Sequence, residues 1–224
     1  MDRFEQYSRL GGDDRFRWIA ERNLDTFETL DPKFKKMRAE MHSFLSECEN
    51  PEDPPTEYHF KHLELDSIEE ERDQSCIVAV VFTAMYFEAF IYDYAASCLG
   101  DKYSKDHLDK LDFVSKWLVI PKLITGKEIS KSGQAYEALK RLHKDRNSLV
   151  HLKSREMSFN AEEMASYLER RETDIQESVK NCRKALKYVL KELLEIDPDH
   201  PKVMLASESR NKSKHADAAN CAGV

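Results

Sequence analysis

A chain of 224 residues with 41% hydrophobic and 34% charged residues carries enough apolar mass for one sizeable core. Its formal net charge of −7 excludes general duplex binding by bulk electrostatics. Six glycines and seven prolines, set against many Lys, Glu, Leu and Ala, predict an all-α fold.

The opening residues Met1-Asp2-Arg3-Phe4-Glu5 have no apolar run of the kind a signal peptide needs. A short helix is expected over residues 14–24. A second is expected over 32–47, with Asp31 as its cap and Pro32 at its first position. Residues 50–55, which include Pro54-Pro55, read as a loop, and 56–65 is ambiguous between extended chain and loop. A long helix follows over 67–99, stopped by Gly100. Its start (Glu69-Glu70-Glu71-Arg72-Asp73) reads as wet, and from Cys76 onward it is apolar nearly all round, the mark of a helix buried on most faces. The most apolar stretch, 76–87, is shorter than the ~20 residues a membrane span needs, so no membrane association is expected.

Residues 104–126 read as one or two shorter helices kinked or divided at Pro121, and 127–133 as a loop. A helix over 136–152, a turn over 154–160, and a helix over 161–196 with a bend near 170–173 complete the pattern. From Ala206 the chain is small and polar. The expected architecture is an antiparallel bundle of four to five helices with additional N-terminal helices. Its divisions are an N-terminal extension (1–65), the bundle (66–198) and a disordered tail (199–224). Cys48, Cys76, Cys98, Cys182 and Cys221 include no CxxC pair and read as reduced thiols of a cytoplasmic protein.

The segment 146–151 is the most informative. On a helix turning about 100° per residue, with Arg146 at zero, Leu139, Leu142, Val150 and Leu149 fall within about 60° of it. That places Arg146 in the apolar stripe, where a guanidinium must be paired or must line a cleft. Asn147 lies near the border, and His151 just past it. Residues 140–156 hold six Lys/Arg (Lys140, Arg141, Lys144, Arg146, Lys153, Arg155) against Asp145 and Glu156. This patch is either a solvated helix face or a local anion trap on an acidic protein.

Glu88 is the second anomaly, a lone carboxylate between Asp73 and Asp93 in an apolar helix. Such a group needs a nearby cation or a raised pKa, and Arg146 is the obvious partner. The two then form either a structural ion pair or an arginine oriented for work on a substrate.

Arg146-Asn147 followed by His151 resembles the R-x4–6-H signature of HEPN domains. The helix around Phe87-Glu88-Ala89-Phe90 is similar to that family's earlier helix bearing an acidic residue. Lys116-Trp117, Pro121, Gly126, Tyr136, Leu139 and Leu142 resemble the intervening pattern, so the resemblance covers about 67–191. It implies a homodimer whose two motif helices form one composite, metal-independent RNA-cleaving site, with no cofactor. In that site Arg146, His151, Asn147 and Glu88 are the expected catalytic group, and Lys144, Lys153 and Arg141 the expected substrate-binding residues. The expected products carry 2′,3′-cyclic phosphate and 5′-hydroxyl ends. The implied partners are RNA, a second copy and a neutralising or regulatory protein, in a toxin or antiphage setting. Some members are silenced by modification of a tyrosine two residues after the histidine, where this chain has Lys153. The competing reading is a non-catalytic helical module that binds a nucleotide, RNA or a protein.

The remaining signals are weaker. His59 and His62 lack convincing further ligands for a metal, so none is expected. His143 reads as a satisfied core histidine or a group supporting the site. No phosphate-binding glycine loop, dinucleotide fingerprint or nucleophile elbow is present.

Overall fold

A computed structural model describes residues 12–48, 50, 54–150 and 160–207, and among them the chain is all α-helical. The main helices are α1 (Asp13–Glu47), α2 (Thr56–Leu99), α3 (Asp101–Tyr103, continued by a wider π-type turn over Ser104–Leu108), α4 (Phe113–Thr125), α5 (Gln134–Val150) and α6 (Ala161–Ile196). The all-α expectation holds, with several differences of extent.

The two helices expected at 14–24 and 32–47 are one. Pro32 sits inside α1, where it removes a backbone donor. Packing outweighs that loss: Ala20, Leu24 and Phe27 precede the proline and Phe34 and Met41 follow it, all buried on one face. The ambiguous stretch 56–65 is also helical, because α2 begins directly after Pro55. Leu65 and Ile68 join Phe34 and Met41 in a small second core between α1 and α2. The expected boundary at residue 65 therefore falls inside a continuous 44-residue helix about 66 Å long. Pro121 lies within α4 without dividing it, and α6 runs uninterrupted through 170–173.

The main core is built on α2, whose Val80, Phe87, Phe90, Ile91 and Tyr94 are fully buried. Trp117 of α4 stacks on Phe90 and meets Phe87 edge-on, at centroid distances of 6.1 and 5.5 Å. Leu139 and Leu142 of α5 and Cys182, Val189 and Leu193 of α6 close the bundle. Although α2 is long and apolar enough to cross a membrane, 56% of that stretch is buried inside the protein, the pattern of a core helix.

α2 and α6 run in the same direction. Arg72 meets Glu172, the Cys76 thiol meets the Ile175 carbonyl, Tyr94 donates to Asp197, and Ser97 meets His200. α5 runs against α6, with the Asn181 amide donating to the Ala138 carbonyl and Arg141 reaching Asp174.

The disordered tail expected from residue 199 is corrected for its first part. Residues 201–207 are helical, with Val203 and Ala206 buried. Arg17 donates to the Ala206 carbonyl at 2.7 Å, and Lys202 bridges Asp13 and Asp93. Those two buried side chains and the Arg17 bond to the helix end hold the segment down; residues 208–224 lie outside the described ones.

The wet start expected for the long helix holds at Glu70 and Glu71, which are exposed, and is corrected at Arg72 and Asp73. Arg72 has no exposed surface, and Asp73 is buried beside it. The Arg72 guanidinium reaches Asp73 at 2.9 Å, Glu172 of α6 at 2.8 Å and Asp31 of α1 at 3.5 Å, and its face lies 3.9 Å from the Phe34 ring centroid. Asp73 also pairs with Arg171, and Gln176 donates to Asp31.

Removing the arginine takes the central cation from three carboxylates, of which Asp73 keeps Arg171 and Asp31 keeps Lys35. Arg72→Ala is expected to cost about 3–5 kcal/mol, measured by urea denaturation; a loss below about 1 kcal/mol would show that the network is dispensable. Burial pushes the Cys76 and Cys182 thiols up to about 12, whereas Cys48 and Cys98 are half-buried. Iodoacetamide followed by peptide mapping should alkylate Cys48 and Cys98 in the native protein and spare Cys76 and Cys182.

Candidate functional site

The end of α5 carries the residues that the sequence singles out. Buried positions on this helix are Ala135, Ala138, Leu139, Leu142 and Asp145, with Leu149 packed against the core. Their mean direction lies about 45° from Arg146 on a helix of 100° per residue. Arg146 is therefore on the flank of the stripe, half-buried, and not at its centre. The two alanines, small enough to hide in an apolar count, shift the packed face toward α6.

Asp145 is the buried charge of this helix, at 6% exposure. Its carboxylate accepts from the Arg141 Nε at 2.7 Å, with Asp174 on the far side of that guanidinium. Burial raises the Asp145 pKa above its ordinary value of 3.8, against the lowering effect of Arg141 and of the Ser178 hydroxyl. Arg141, expected to bind substrate, thus faces two carboxylates, Asp145 and Asp174.

Arg146 makes no ion pair among the described residues. Its Nη1 donates to the Asn147 Oδ1 at 3.0 Å. The other end of the same amide, Nδ2, lies 3.0 Å from the Nε2 of His143, one helical turn back. The His143 ring is half-buried and stacks on Phe113, with 5.7 Å between centroids and 11° between planes. Phe113 opens α4, and the preceding Asp112 caps that helix by accepting from the Val114 and Ser115 amides at 3.1 and 3.0 Å. Those bonds to Ser115 and Val114, helped by the nearby His143, hold Asp112 below the usual carboxylate range. Lys144 is exposed and without an ion pair among the described residues. His151 and Lys153 lie outside the described residues.

Glu88 is not brought to Arg146. Asp145 acts on the Cys76 thiol across the α2–α5 contact, and Glu88 lies about 18 Å further along α2. Its side chain is 52% exposed and pairs at 3.2 Å with Lys116, whose ammonium is buried between Glu88 and Asp109. A half-exposed carboxylate keeps much of its hydration and takes the nearer cation, so the expected Glu88–Arg146 pair does not form.

The sequence leaves His143 open between a core histidine and a group supporting the site, and it gives no sign of the Lys116 bridge. The i, i+4 spacing of His143 and Asn147 was the available signal. A separate groove of about 410 Å³ opens between α1 and α6, lined by Phe27, Asp31, Val179 and Arg183. It lies on the α1 side of α6, away from the residues of α5 described above. His62, part of the H-x-x-H pair, is bonded to Asp66 at 3.0 Å, and no group of three or more metal-ligating side chains occurs among the described residues.

No family model matches the chain, and neither a curated protein nor a solved structure matches it.

Asp145 yields a pH test. A carboxyl whose folded pKa is raised contributes full stability below the unfolded value, and loses it as pH rises through the folded pKa. Asp145→Asn, which cannot ionise, should therefore gain on wild type as pH rises above the ordinary aspartate value of 3.8 and match it below about pH 3. Urea midpoints across that range measure it, and a widening advantage for wild type as pH rises would show that the pair with Arg141 dominates.

Proposed function

We propose that the chain is an endoribonuclease that works without a metal, through an arginine–histidine site at the end of α5 completed by a second copy of the chain. The supporting observation is Arg146, a half-buried guanidinium with no carboxylate partner among the described residues, next to exposed Lys144 on an otherwise acidic protein. A structural pair with Glu88 was the main alternative explanation for that arginine, and Glu88 is engaged by Lys116 instead.

In this reading Arg146 donates to the non-bridging oxygens of the scissile phosphate and offsets the charge that grows there in the transition state. Imidazoles move the protons: one takes the 2′-hydroxyl proton as that oxygen attacks phosphorus, and another protonates the departing 5′-oxygen. His151 is assigned one of these roles by the motif. The need for a 2′-hydroxyl restricts the substrate to RNA. This reading assigns no step to Glu88, which pairs with Lys116, or to Arg141, which pairs with Asp145.

Purified protein incubated with RNA in EDTA should yield fragments ending in 2′,3′-cyclic phosphate. Arg146→Ala and His151→Ala should each slow cleavage by about 10²–10³-fold. Identical fragment patterns from wild type and His151→Ala, or loss of cleavage in EDTA, would sink the mechanism. RNA that is bound but left intact would point to the non-catalytic module.

A further inference from the structure

Asn147 connects two groups that the sequence motif does not join, and its orientation can be assigned from the bonds it makes. A guanidinium only donates, so the carbonyl oxygen of the Asn147 amide must face Arg146. The NH2 end then faces His143 and has nothing to offer but hydrogens. The His143 Nε2 is therefore the acceptor, and in this arrangement the ring carries its proton on Nδ1. Stacking on Phe113 fixes the plane of the ring, and the ring remains half-buried rather than enclosed.

We infer that His143 is a catalytic imidazole of the Arg146 site, which takes the 2′-hydroxyl proton during RNA cleavage. The inference rests on the ribonuclease reading above and names a residue outside its motif. A 2′-hydroxyl entering beside a phosphate held by Arg146 replaces the Asn147 NH2 at Nε2. The hydroxyl proton passes to Nε2 as the O2′–P bond forms and the P–O5′ bond breaks. The leaving 5′-oxygen takes its proton from a second imidazole or from water. Asn147, displaced from Arg146 by the phosphate, can turn its carbonyl to accept from the new Nε2–H and so stabilise the imidazolium. One amide thus couples occupation of the guanidinium to the proton affinity of the ring.

The alternative is that His143 only packs α5 on α4. Two measurements on the full chain separate these. His143→Gln, which keeps a polar group in reach of Asn147, should lower kcat for RNA cleavage by about 10²-fold and leave the affinity for a 2′-O-methyl RNA unchanged. A cleavage rate equal to wild type would overturn the inference. In the second, the imidazole Cε1–Hε1 signal of His143 is followed by NMR as inorganic phosphate is added. It should move in wild type and stay still in Arg146→Gln. A signal that stays still in wild type, or moves equally in both, removes His143 from the site. If wild type cleaves no RNA, the ribonuclease reading fails, and with it the proton-transfer role. The phosphate titration would then still decide whether His143 and Arg146 share one anion site.

Discussion

The bundle turns on a single buried guanidinium. Arg72 sits where α1, α2 and α6 converge, with a carboxylate from each: Asp31, Asp73 and Glu172. An arginine with no exposed surface is tolerable only when its five donors and its charge are both matched. That requirement sets the relative heights of three helices, because sliding any one by a turn (about 5.4 Å) would strand a charge. Apolar packing alone fixes position less sharply, since similar side chains can exchange neighbours. The Phe34 ring beneath the guanidinium ties the network to the small core between α1 and α2.

The end of α5 inherits its placement from this arrangement. α6 is held against α2 by Arg72 and Arg171, and α5 is held against α6 by Asn181 at one level and by Arg141 at another. Asp145 anchors the last turns of α5 inward, and this directs the next two residues to the flank facing α4. The neighbours Asp145 and Arg146 thus differ in kind. The first is buried and faces Arg141, and the second has no carboxylate partner among the described residues.

The helical class was legible because few residues break helices and the 3.6-residue period recurs in each long segment. Boundaries were harder where local and tertiary preferences conflict. Pro32 reads as a start signal, yet Phe27 and Phe34 on either side of it share one buried face and carry α1 through. Likewise the charged run at Glu69–Asp73 reads as solvent-facing, because a lone sequence cannot show that Glu172, a hundred residues away, will meet Arg72. At the candidate site, Arg146 and Asn147 stand out in the sequence by spacing and chemistry, and the structure joins them by a hydrogen bond. The partner of Glu88 was misjudged for the same reason: a helix can be phased from sequence, but which cation stands opposite depends on how α4 crosses α2.

The parallel run of α2 and α6 has a consequence for biosynthesis. α1 and α2 are neighbours in sequence and can pair as soon as both are made, but the face of α2 that meets α6 waits for residues about a hundred positions later. At about 5–20 residues per second, that interval lasts roughly 5–20 s. For that time a helix apolar on most sides is exposed, with Arg72 short of the Glu172 carboxylate. The nascent hairpin is therefore the form of this chain with most to gain from a chaperone, and substitutions that slow the arrival of α6 should be felt first as aggregation during synthesis.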